Sequence, residues 1–271
     1  PAPTPRDSTL VPDTTGKDTL PEVKPEDFAR GADISWYSQM EDKGKKFYSW
    51  NHREPMDCPA VMQDLGLNAI ALRVLVNPHD GYCTMDDVLR KARRVHQLGL
   101  DLLVSLHYSD TIASSSLQRT PQEWQDHSME MLAEDVRSHT ASVLQALTEE
   151  GIEPRWIQIG NQLDNGLLWP AGYLTRYPTQ YATLVSSACR SARTICPKAQ
   201  IIVAAGNPLH QPSLCAALDG LRTTDYDQIG LALYPTQSVG SSFQLLNTAI
   251  SYGIENENDA IAYTMQTIDM L

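Results

Sequence analysis

The sequence has no long apolar run and no concentration of positive charge. No stretch approaches the ~20 consecutive apolar residues of a transmembrane helix, so a membrane span is not expected. Asp and Glu (33) outnumber Lys and Arg (21), which gives a formal net charge of -12. Nucleic acids and anionic membranes are bound by clustered basic side chains, so neither is expected as a partner.

Metal and cofactor signatures are missing as well. The five cysteines form no CxxC pair and have no histidine at a spacing typical of zinc sites. No GxGxxG turn follows the first predicted strand, so a dinucleotide site has no support. We therefore expect no metal and no cofactor. Two alternatives stay open for the cysteines: five buried thiols, or a Cys58–Cys83 disulfide if the protein is exported.

Residues 1–27 differ in composition from the rest of the chain. Prolines stand among Thr, Asp and Lys, and no apolar period is visible. This composition is typical of an extended linker or tether. A tether suits an exported protein, whether periplasmic, held at the cell surface as a lipoprotein, or extracellular. Residues 28–271 are expected to form one domain, because α/β barrels of ~250 residues fold as a single unit.

Six strand-then-helix units follow one another up to Pro235. The predicted strands are nearly continuous apolar runs, such as NAIALRVLV at residues 68–76 and LDLLVSLHY at residues 100–108. This pattern indicates a parallel sheet covered by helices on both faces. Thr84 is predicted to cap the helix after the second strand, and residues 40–51 are predicted to form a loop. A doubly wound open sheet would fit the same alternation.

Polar side chains recur where the predicted strands end. In a (β/α)8 barrel the active site is built at the carboxyl ends of the strands, so this recurrence favours a barrel of the TIM type. No eighth strand is visible after Pro235, so we expect the barrel to be incomplete or irregular in its last units. The residues at or just beyond the strand ends are Asp33, Arg73, Asn77, His107, Asp110, Asn161, Gln162 and Tyr234.

The stretch RWIQIGNQLDNGLLWP, residues 155–170, carries the most informative pair. A buried strand stops at Gly160, and Asn161-Gln162 follows at its tip. In many sugar-cleaving barrels this pair is Asn-Glu, and the glutamate is the proton donor. Glutamine has almost the same shape, but its amide carries no charge and transfers no proton.

Five sequence blocks, taken in order, resemble glycoside hydrolase family 53, the endo-β-1,4-galactanases that cut the galactan side chains of pectin. They are GADISW, LRVLVNP, LHYSD, IGNQ followed by GLLWP, and IGLALYP, and they extend from about Gly31 to Pro235. The stretch FYSWN and the cysteines at 58 and 83 are similar to the Bacteroidetes branch of the family. The resemblance implies a retaining (β/α)8 hydrolase that binds or cleaves arabinogalactan, an oligo- or polysaccharide partner. We expect it to be a monomer.

The resemblance also implies roles for individual residues. Asn161 matches the residue that holds the sugar 2-hydroxyl, Gln162 stands at the acid/base position, and Glu255 is the positional candidate for the nucleophile. A retaining mechanism needs two carboxyl groups about 5 Å apart, one to protonate the leaving oxygen and one to trap the oxocarbenium-like centre. Polar or aromatic groups that line the family's cleft are matched by Arg73, Asn77, His107, Asp110, Trp169 and Tyr234.

The motifs also depart from the family pattern. Leu75 and Ile112 stand where the family has aromatic residues, Ser114 replaces an acid, and the fifth strand reads IVAAGN in place of an HLD-like motif. Scattered losses of this kind favour a natural pseudoenzyme that still binds galactan. An active galactanase with an engineered Glu-to-Gln change and a non-glycan structural or partner-binding barrel remain as alternatives.

Several other side chains near these motifs have plainer interpretations. Asp164 is an alternative acid for the loop after Gln162, but its expected role is that of a solvated side chain. Glu255 lies in an acidic run that also fits an exposed loop or a helix start. Core or loop anchoring is expected for Trp36, Trp50, Trp124 and Trp156.

Overall fold

The computed structural model describes residues 28–208 and 211–233. The predicted tether, the elements predicted after Pro235, and the candidate residues Tyr234 and Glu255 lie outside the described residues. No helix within the described residues is long and apolar enough to cross a bilayer.

Strands and helices alternate along the described chain. Its first half contains β1 (Gly31–Asp33), α1 (Tyr37–Asp42), α2 (Cys58–Asp64), β2 (Ala69–Val74), α3 (Met85–Gln97), β3 (Asp101–Leu106) and α4 (Met129–Glu149). Its second half contains β4 (Trp156–Ile159), β5 (Gly166–Leu167), β6 (Gly172–Tyr173), α5 (Pro178–Ile195), β7 (Gln200–Ala204), α6 (Gln211–Asp219) and β8 (Gln228–Gly230). Short 3-10 turns cover Gln122–Trp124 and Leu163–Asn165.

Six of the strands form one parallel sheet in the order β1-β2-β3-β4-β7-β8, while β5 and β6 form a small separate hairpin. Each strand of the large sheet pairs with the one that precedes it in that order, as Ala69 with Asp101 and Leu103 with Trp156. A doubly wound sheet would reverse its order at a switch point, so that alternative is excluded. The order is that of the first six units of a (β/α)8 barrel, which remains open over the described residues.

The core lies between the sheet and the helices that cover its outer face. Alternate residues of β2 and β3 are fully or almost fully buried there, including Ile70, Leu72, Leu102 and Val104. Burying one such aliphatic side chain contributes about 1.5–3 kcal/mol. The inner face of the same strands carries less buried and more polar residues, such as Arg73. Burial on the outer face therefore stabilises the sheet and leaves the inner face free for a polar site.

Helix ends follow the predicted capping pattern in part. Thr84 Oγ1 accepts a hydrogen bond from the backbone N–H of Asp87 at the start of α3, which confirms that cap; such a cap contributes about 1 kcal/mol. The loop predicted from Met40 instead begins at Lys43, because α1 continues to Asp42. Helix α1 is too short and has too few apolar positions to be recognised from the spacing of apolar residues in the sequence.

Two expectations about cysteine and tryptophan need correction. All five thiols are free, and Cys58 and Cys83 are buried without a bond between them, so the disulfide alternative is not what the structure contains. Trp124 and Trp156 are buried as expected, but Trp36 is 42% exposed and Trp50 is 83% exposed. Trp36 directly precedes α1, and Trp50 lies in the connection from α1 to α2, so both are outside the regular elements.

Candidate functional site

The carboxyl ends of the first four strands surround one cavity of about 300 Å³. It brings together five of the strand-end residues predicted from sequence, namely Asp33, Arg73, His107, Asn161 and Gln162. The other polar residues that line it are Ser105, Ser114 and Gln158. This is the position at which a barrel of this kind carries its active site.

One side of the cavity is formed by the Arg73 cluster, which we define as Asp33, Ser35, Arg73 and His107. Arg73 Nη2 donates to Asp33 Oδ2 at 2.6 Å. The hydroxyl and the backbone N–H of Ser35 both donate to Asp33 Oδ1, and the backbone N–H of Arg73 donates to Ser35 Oγ at 2.7 Å. Every member of the ion pair is therefore also fixed by the turn that follows β1.

The carboxyl of Asp33 is ionised in this environment. Burial acts to raise its pKa, but the charge of Arg73 and the hydrogen bonds from Ser35 and Arg73 outweigh burial and hold the pKa of Asp33 below its usual value. An acid that is deprotonated at neutral pH accepts hydrogen bonds from a ligand, but it has no proton to donate.

A buried lysine in α3 holds the Ser35 turn in place. Lys91 is fully buried, and its Nζ donates to the Ser35 carbonyl oxygen and to Asp87 Oδ2, both at 2.6 Å. Asp87 Oδ2 also accepts from the backbone N–H of Cys83 at 2.8 Å. These bonds connect α3 to the loops after β1 and β2, so the position of Asp33 depends on a second, buried ion pair.

His107 is neutral and has one defined tautomer. It is only 3% exposed, and its Nδ1 accepts from the backbone N–H of Ala113 at 3.1 Å. Burial and the nearby charge of Arg73 lower the pKa of His107 to about 3. The ring proton therefore lies on Nε2, which leaves that nitrogen as a donor for a ligand in the cavity.

The other side of the cavity is formed by the Gln162 cluster, which we define as Gln118, Gln158, Asn161 and Gln162. Gln162 Oε1 accepts from the backbone N–H of Ser115 at 3.1 Å, and Asn161 Nδ2 donates to the Ala113 carbonyl oxygen at 2.8 Å. Gln118 Nε2 donates to the carbonyl oxygens of Asn161 at 2.7 Å and of Gln162 at 3.2 Å. The loop of residues 113–118 thus holds the tip of β4 through amide contacts alone.

Gln162 has a left-handed backbone, with φ 53° and ψ 60°. A residue with a side chain in this region costs of order 1–3 kcal/mol and persists only where its surroundings hold it. The bonds from Gln118 and Ser115 supply that restraint. They hold the side chain of Gln162 in the wall of the cavity.

The remaining predicted site residues do not line this cavity. Asp110 accepts backbone N–H groups with both oxygens, from Asn77 at 3.0 Å and from Gln122 at 2.8 Å. Asn77 itself is exposed. Trp169 is half-buried, donates through Nε1 to the Asn165 carbonyl oxygen at 3.0 Å, and packs against Tyr173 edge to face.

The loop acid Asp164 was expected to be solvated, and this is wrong. Its side chain is buried, because the 3-10 turn Leu163–Asn165 places it under the rim against Gly206 at the end of β7. A Cβ added at Gly206 would lie 2.0 Å from Asp164 Cγ, so only glycine leaves room for the carboxyl group.

Sequence reasoning missed several residues that build the site. Gln158 donates to Ser105 Oγ at 2.8 Å, and its place as a polar residue inside the apolar strand WIQI is a signal that could have found it. Lys91 lies on the apolar face of α3, one turn from Val88, which is a second signal of a buried charge. Gln118 lies in a loop and carries no sequence signal. Among the described residues, no three His, Cys, Asp or Glu side chains gather to hold a metal ion.

Comparisons with known proteins agree on one family. The model of glycosyl hydrolase family 53 matches residues 29–261. A probable arabinogalactan endo-β-1,4-galactanase A of Aspergillus terreus is 32% identical over 231 residues, covering 82% of this chain and 65% of the relative. The corresponding protein of Neosartorya fischeri is 31% identical, with 82% and 64% covered. The chain therefore spans less than two thirds of the length of these relatives.

Solved structures give the same result. The Ignisphaera aggregans GH53 catalytic domain has a TM-score of 0.73 at 29% identity, with 78% of this chain and 61% of that chain covered. A fungal β-1,4-galactanase structure also has a TM-score of 0.73, at 27% identity, with 83% and 71% covered. These matches confirm the predicted fold, an incomplete (β/α)8 barrel. The chain belongs to glycosyl hydrolase family 53.

Proposed function

We propose that this chain binds β-1,4-galactan, or a closely related pectic glycan, at the cavity between the Arg73 and Gln162 clusters, and that it cleaves the glycan poorly or not at all. The glycan class follows from the family and from the names of the fungal relatives, which are arabinogalactan endo-β-1,4-galactanases. The proposed loss of cleavage is supported by the side chains that line the cavity.

The observation that carries the proposal is the uncharged tip of β4. Gln162 lines the cavity at the position where the family's proton donor is expected, and its amide transfers no proton. Of the described residues that line this cavity, Asp33 is the only carboxylate, and its ion pair with Arg73 keeps it deprotonated. Neither residue can protonate a leaving glycosidic oxygen, so general acid catalysis has no donor among these groups.

The same cavity retains groups suited to sugar hydroxyls. Arg73 and Asp33 offer charged donors and acceptors, and His107 offers a neutral N–H donor. Hydrogen bonds to charged groups contribute about 1.5–3 kcal/mol each, more than those between neutral groups. The chain is therefore expected to bind glycan without depending on the missing acid.

Binding and turnover are to be measured on the same preparation. Calorimetric titration with β-1,4-galactan oligosaccharides should give saturable binding, and Arg73→Met should weaken that binding about 10-fold to 100-fold, the loss of one charge-assisted contact. Release of reducing ends from galactan should stay at the background rate. No binding by the unmodified chain would refute the glycan assignment.

A second substrate distinguishes a site that lacks only its proton donor from a site that has lost other catalytic groups as well. A dinitrophenyl β-galactoside has a leaving group that needs no protonation, so a chain that lacks only its acid should still release dinitrophenol. We expect no release from this substrate, and Gln162→Glu should not restore cleavage of galactan, because the departures at Leu75, Ile112 and Ser114 favour a site that has lost more than its acid. A rise of about 10²–10⁴-fold in Gln162→Glu, the usual contribution of general acid catalysis, would instead show that only the proton donor had been lost.

A further inference from the structure

The connection between α1 and α2 corrects the expectation that positive charge is nowhere concentrated. Residues 43–53 contain four lysine or arginine side chains and no aspartate or glutamate, within a chain whose net charge is -12. All four cations are exposed, and a tyrosine and a tryptophan among them are exposed as well. We call this segment the basic loop and define it by Lys43, Lys45, Lys46, Tyr48, Trp50 and Arg53.

The positive charge of the basic loop is only partly compensated by the protein. None of its four cations is in an ion pair with another described residue, whereas Arg94 binds both Glu41 and Asp57, two acids that flank the loop in the sequence. Asp42 and Glu54, at the two ends of the loop, are exposed and lower the local charge. The four cations nevertheless remain in solvent, where they are open to an anionic partner.

The two aromatic rings of the basic loop are held out in solvent by a fixed backbone. Trp50 is 83% exposed and Tyr48 is 53% exposed, but Ser49 between them is buried. The Ser49 hydroxyl donates to Asn51 Oδ1 at 2.9 Å and to the Asp64 carboxylate, which ties the loop to the end of α2. Tyrosine and tryptophan provide large contact areas at a low cost in conformational entropy, so a pre-ordered loop that displays both rings is suited to binding.

The basic loop is distinct from the cavity at Gln162 but lies near it. None of the six residues that define the loop lines that cavity, or the groove of about 600 Å³ that adjoins it. One ring contact joins the two regions, since Phe47 packs against Trp36 at a centroid distance of 5.9 Å, and Trp36 directly follows Ser35 of the Arg73 cluster. A polymer bound at the loop would therefore be held close to the cavity without occupying it.

We propose that the basic loop binds a polysaccharide of uronic acid units at a surface outside the cavity. Each uronic acid unit offers a carboxylate to a lysine or arginine and a face of C–H groups to an aromatic ring. A bilayer or a nucleic acid duplex is broad and would also meet the acidic remainder of the protein, which repels polyanions, whereas a single sugar chain can contact the loop alone. The choice of a sugar polymer rests on the glycan-binding function proposed above.

The test is calorimetric binding of polygalacturonate and, separately, of uncharged β-1,4-galactan oligosaccharides. Lys45→Gln combined with Lys46→Gln should weaken binding of polygalacturonate about 10-fold at low salt, and the difference should shrink as salt screens the exposed charges. Arg190→Gln combined with Lys198→Gln is the matched control, because both residues are exposed and the same charge is removed elsewhere; it should weaken binding less than about 2-fold.

A third variant tests the aromatic part of the basic loop. Trp50→Ala should weaken binding of polygalacturonate about 3-fold to 10-fold at low and at high salt, because contact between a ring and a sugar face is not screened. Thermal unfolding should show that each variant is folded.

The two ligands separate this inference from the proposed function. The loop variants should bind galactan oligosaccharides as the unmodified chain does, and Arg73→Met should bind polygalacturonate normally. Galactan binding without polygalacturonate binding, or equal losses in the loop and control variants, would overturn the inference and leave the proposed function standing. Polygalacturonate binding without galactan binding would overturn the proposed function and support the inference. Binding of phosphatidylglycerol vesicles in place of polygalacturonate would assign the loop to a lipid surface and overturn the inference.

Discussion

The two clusters that face each other at the rim differ in charge and in the way they are held. The Arg73 cluster contains an ion pair, and a second ion pair between Lys91 and Asp87 supports it from within the fold. The Gln162 cluster contains only amides, whose partners are mostly backbone groups of residues 113–115 and 160–162. One side of the site therefore depends on charge, and the other depends on the shape of a loop.

In the proposed function, this difference separates glycan binding, assigned to the Arg73 cluster, from catalysis, which would need an acid in the Gln162 cluster. A charged donor and acceptor pair can fix sugar hydroxyls whether or not a reaction follows, and that pair is complete. A retaining cleavage needs a proton donor on the opposite side, where the structure has a carboxamide. Under the proposed function, the chain would lose the reaction while the Arg73 cluster keeps its contacts with the glycan.

The largest expected effect comes from replacing Lys91, which supports the Arg73 cluster from within the fold. Lys91→Met should lower the free energy of unfolding by about 3–5 kcal/mol, because Asp87 would be left as a buried charge without its lysine. Denaturant titration measures this change. Arg90→Ala is the matched control, since Arg90 contacts the same carboxylate but is mostly exposed, and it should cost less than about 1 kcal/mol. Equal losses in the two variants would contradict the role given to burial.

Lowering the pH should destabilise the protein through the Arg73 cluster more than through the Gln162 cluster. His107 is neutral in the folded protein with a pKa of about 3, whereas an unfolded histidine titrates near about 6.5. The unfolded chain therefore takes up a proton first as pH falls, and the stability that His107 contributes above pH ~6.5 is lost progressively toward pH ~3. Between pH 7 and pH 4.5 this loss amounts to about 2–3 kcal/mol.

His107→Asn isolates that effect. Asparagine keeps an acceptor for the Ala113 N–H but does not titrate, so the variant should lose less stability on acidification than the unmodified chain. His139, whose pKa burial lowers to about 4, contributes a loss in the same direction that both proteins share. His52→Asn, at an exposed loop position, is the control and should leave the pH profile unchanged. If His107→Asn lost as much stability between pH 7 and pH 4.5 as the unmodified chain, the loss could not be assigned to His107.

A smaller effect is expected on the amide side. Gln118 is 1% exposed and donates to the carbonyl oxygens of Ser114, Asn161 and Gln162. Gln118→Met keeps the volume but removes the donor, and leaving buried acceptors unsatisfied should cost about 2 kcal/mol. The exposed Gln125→Met is the control. Unlike the acid effect, this loss should be the same at pH 7 and pH 4.5, and a strong pH dependence would contradict the comparison.

The sequence predicted the strands and the strand tips better than the loops that join them. Apolar runs placed β2, β3 and β4 to within two residues, and polar residues at their ends identified Arg73, His107, Asn161 and Gln162 as neighbours. Burial of one face creates those patterns, so they are visible without coordinates. Gln118 and the burial of Asp164 depend on how a loop returns to the rim, which no periodic pattern records.

Asp110 is another residue whose loop contacts the sequence pattern did not predict. Its substitution should have the smallest effect on stability. Asp110 was expected to contact substrate, but its two oxygens accept the N–H groups of Asn77 and Gln122 and so join the loops after β2 and β3. Asp110→Asn keeps one acceptor oxygen and should cost about 1 kcal/mol of stability. Its affinity for short galactan oligosaccharides should change less than that of Arg73→Met, because Arg73 lines the cavity and Asp110 does not. A larger loss of affinity in Asp110→Asn than in Arg73→Met would move the centre of binding toward the loops and away from the Arg73 cluster.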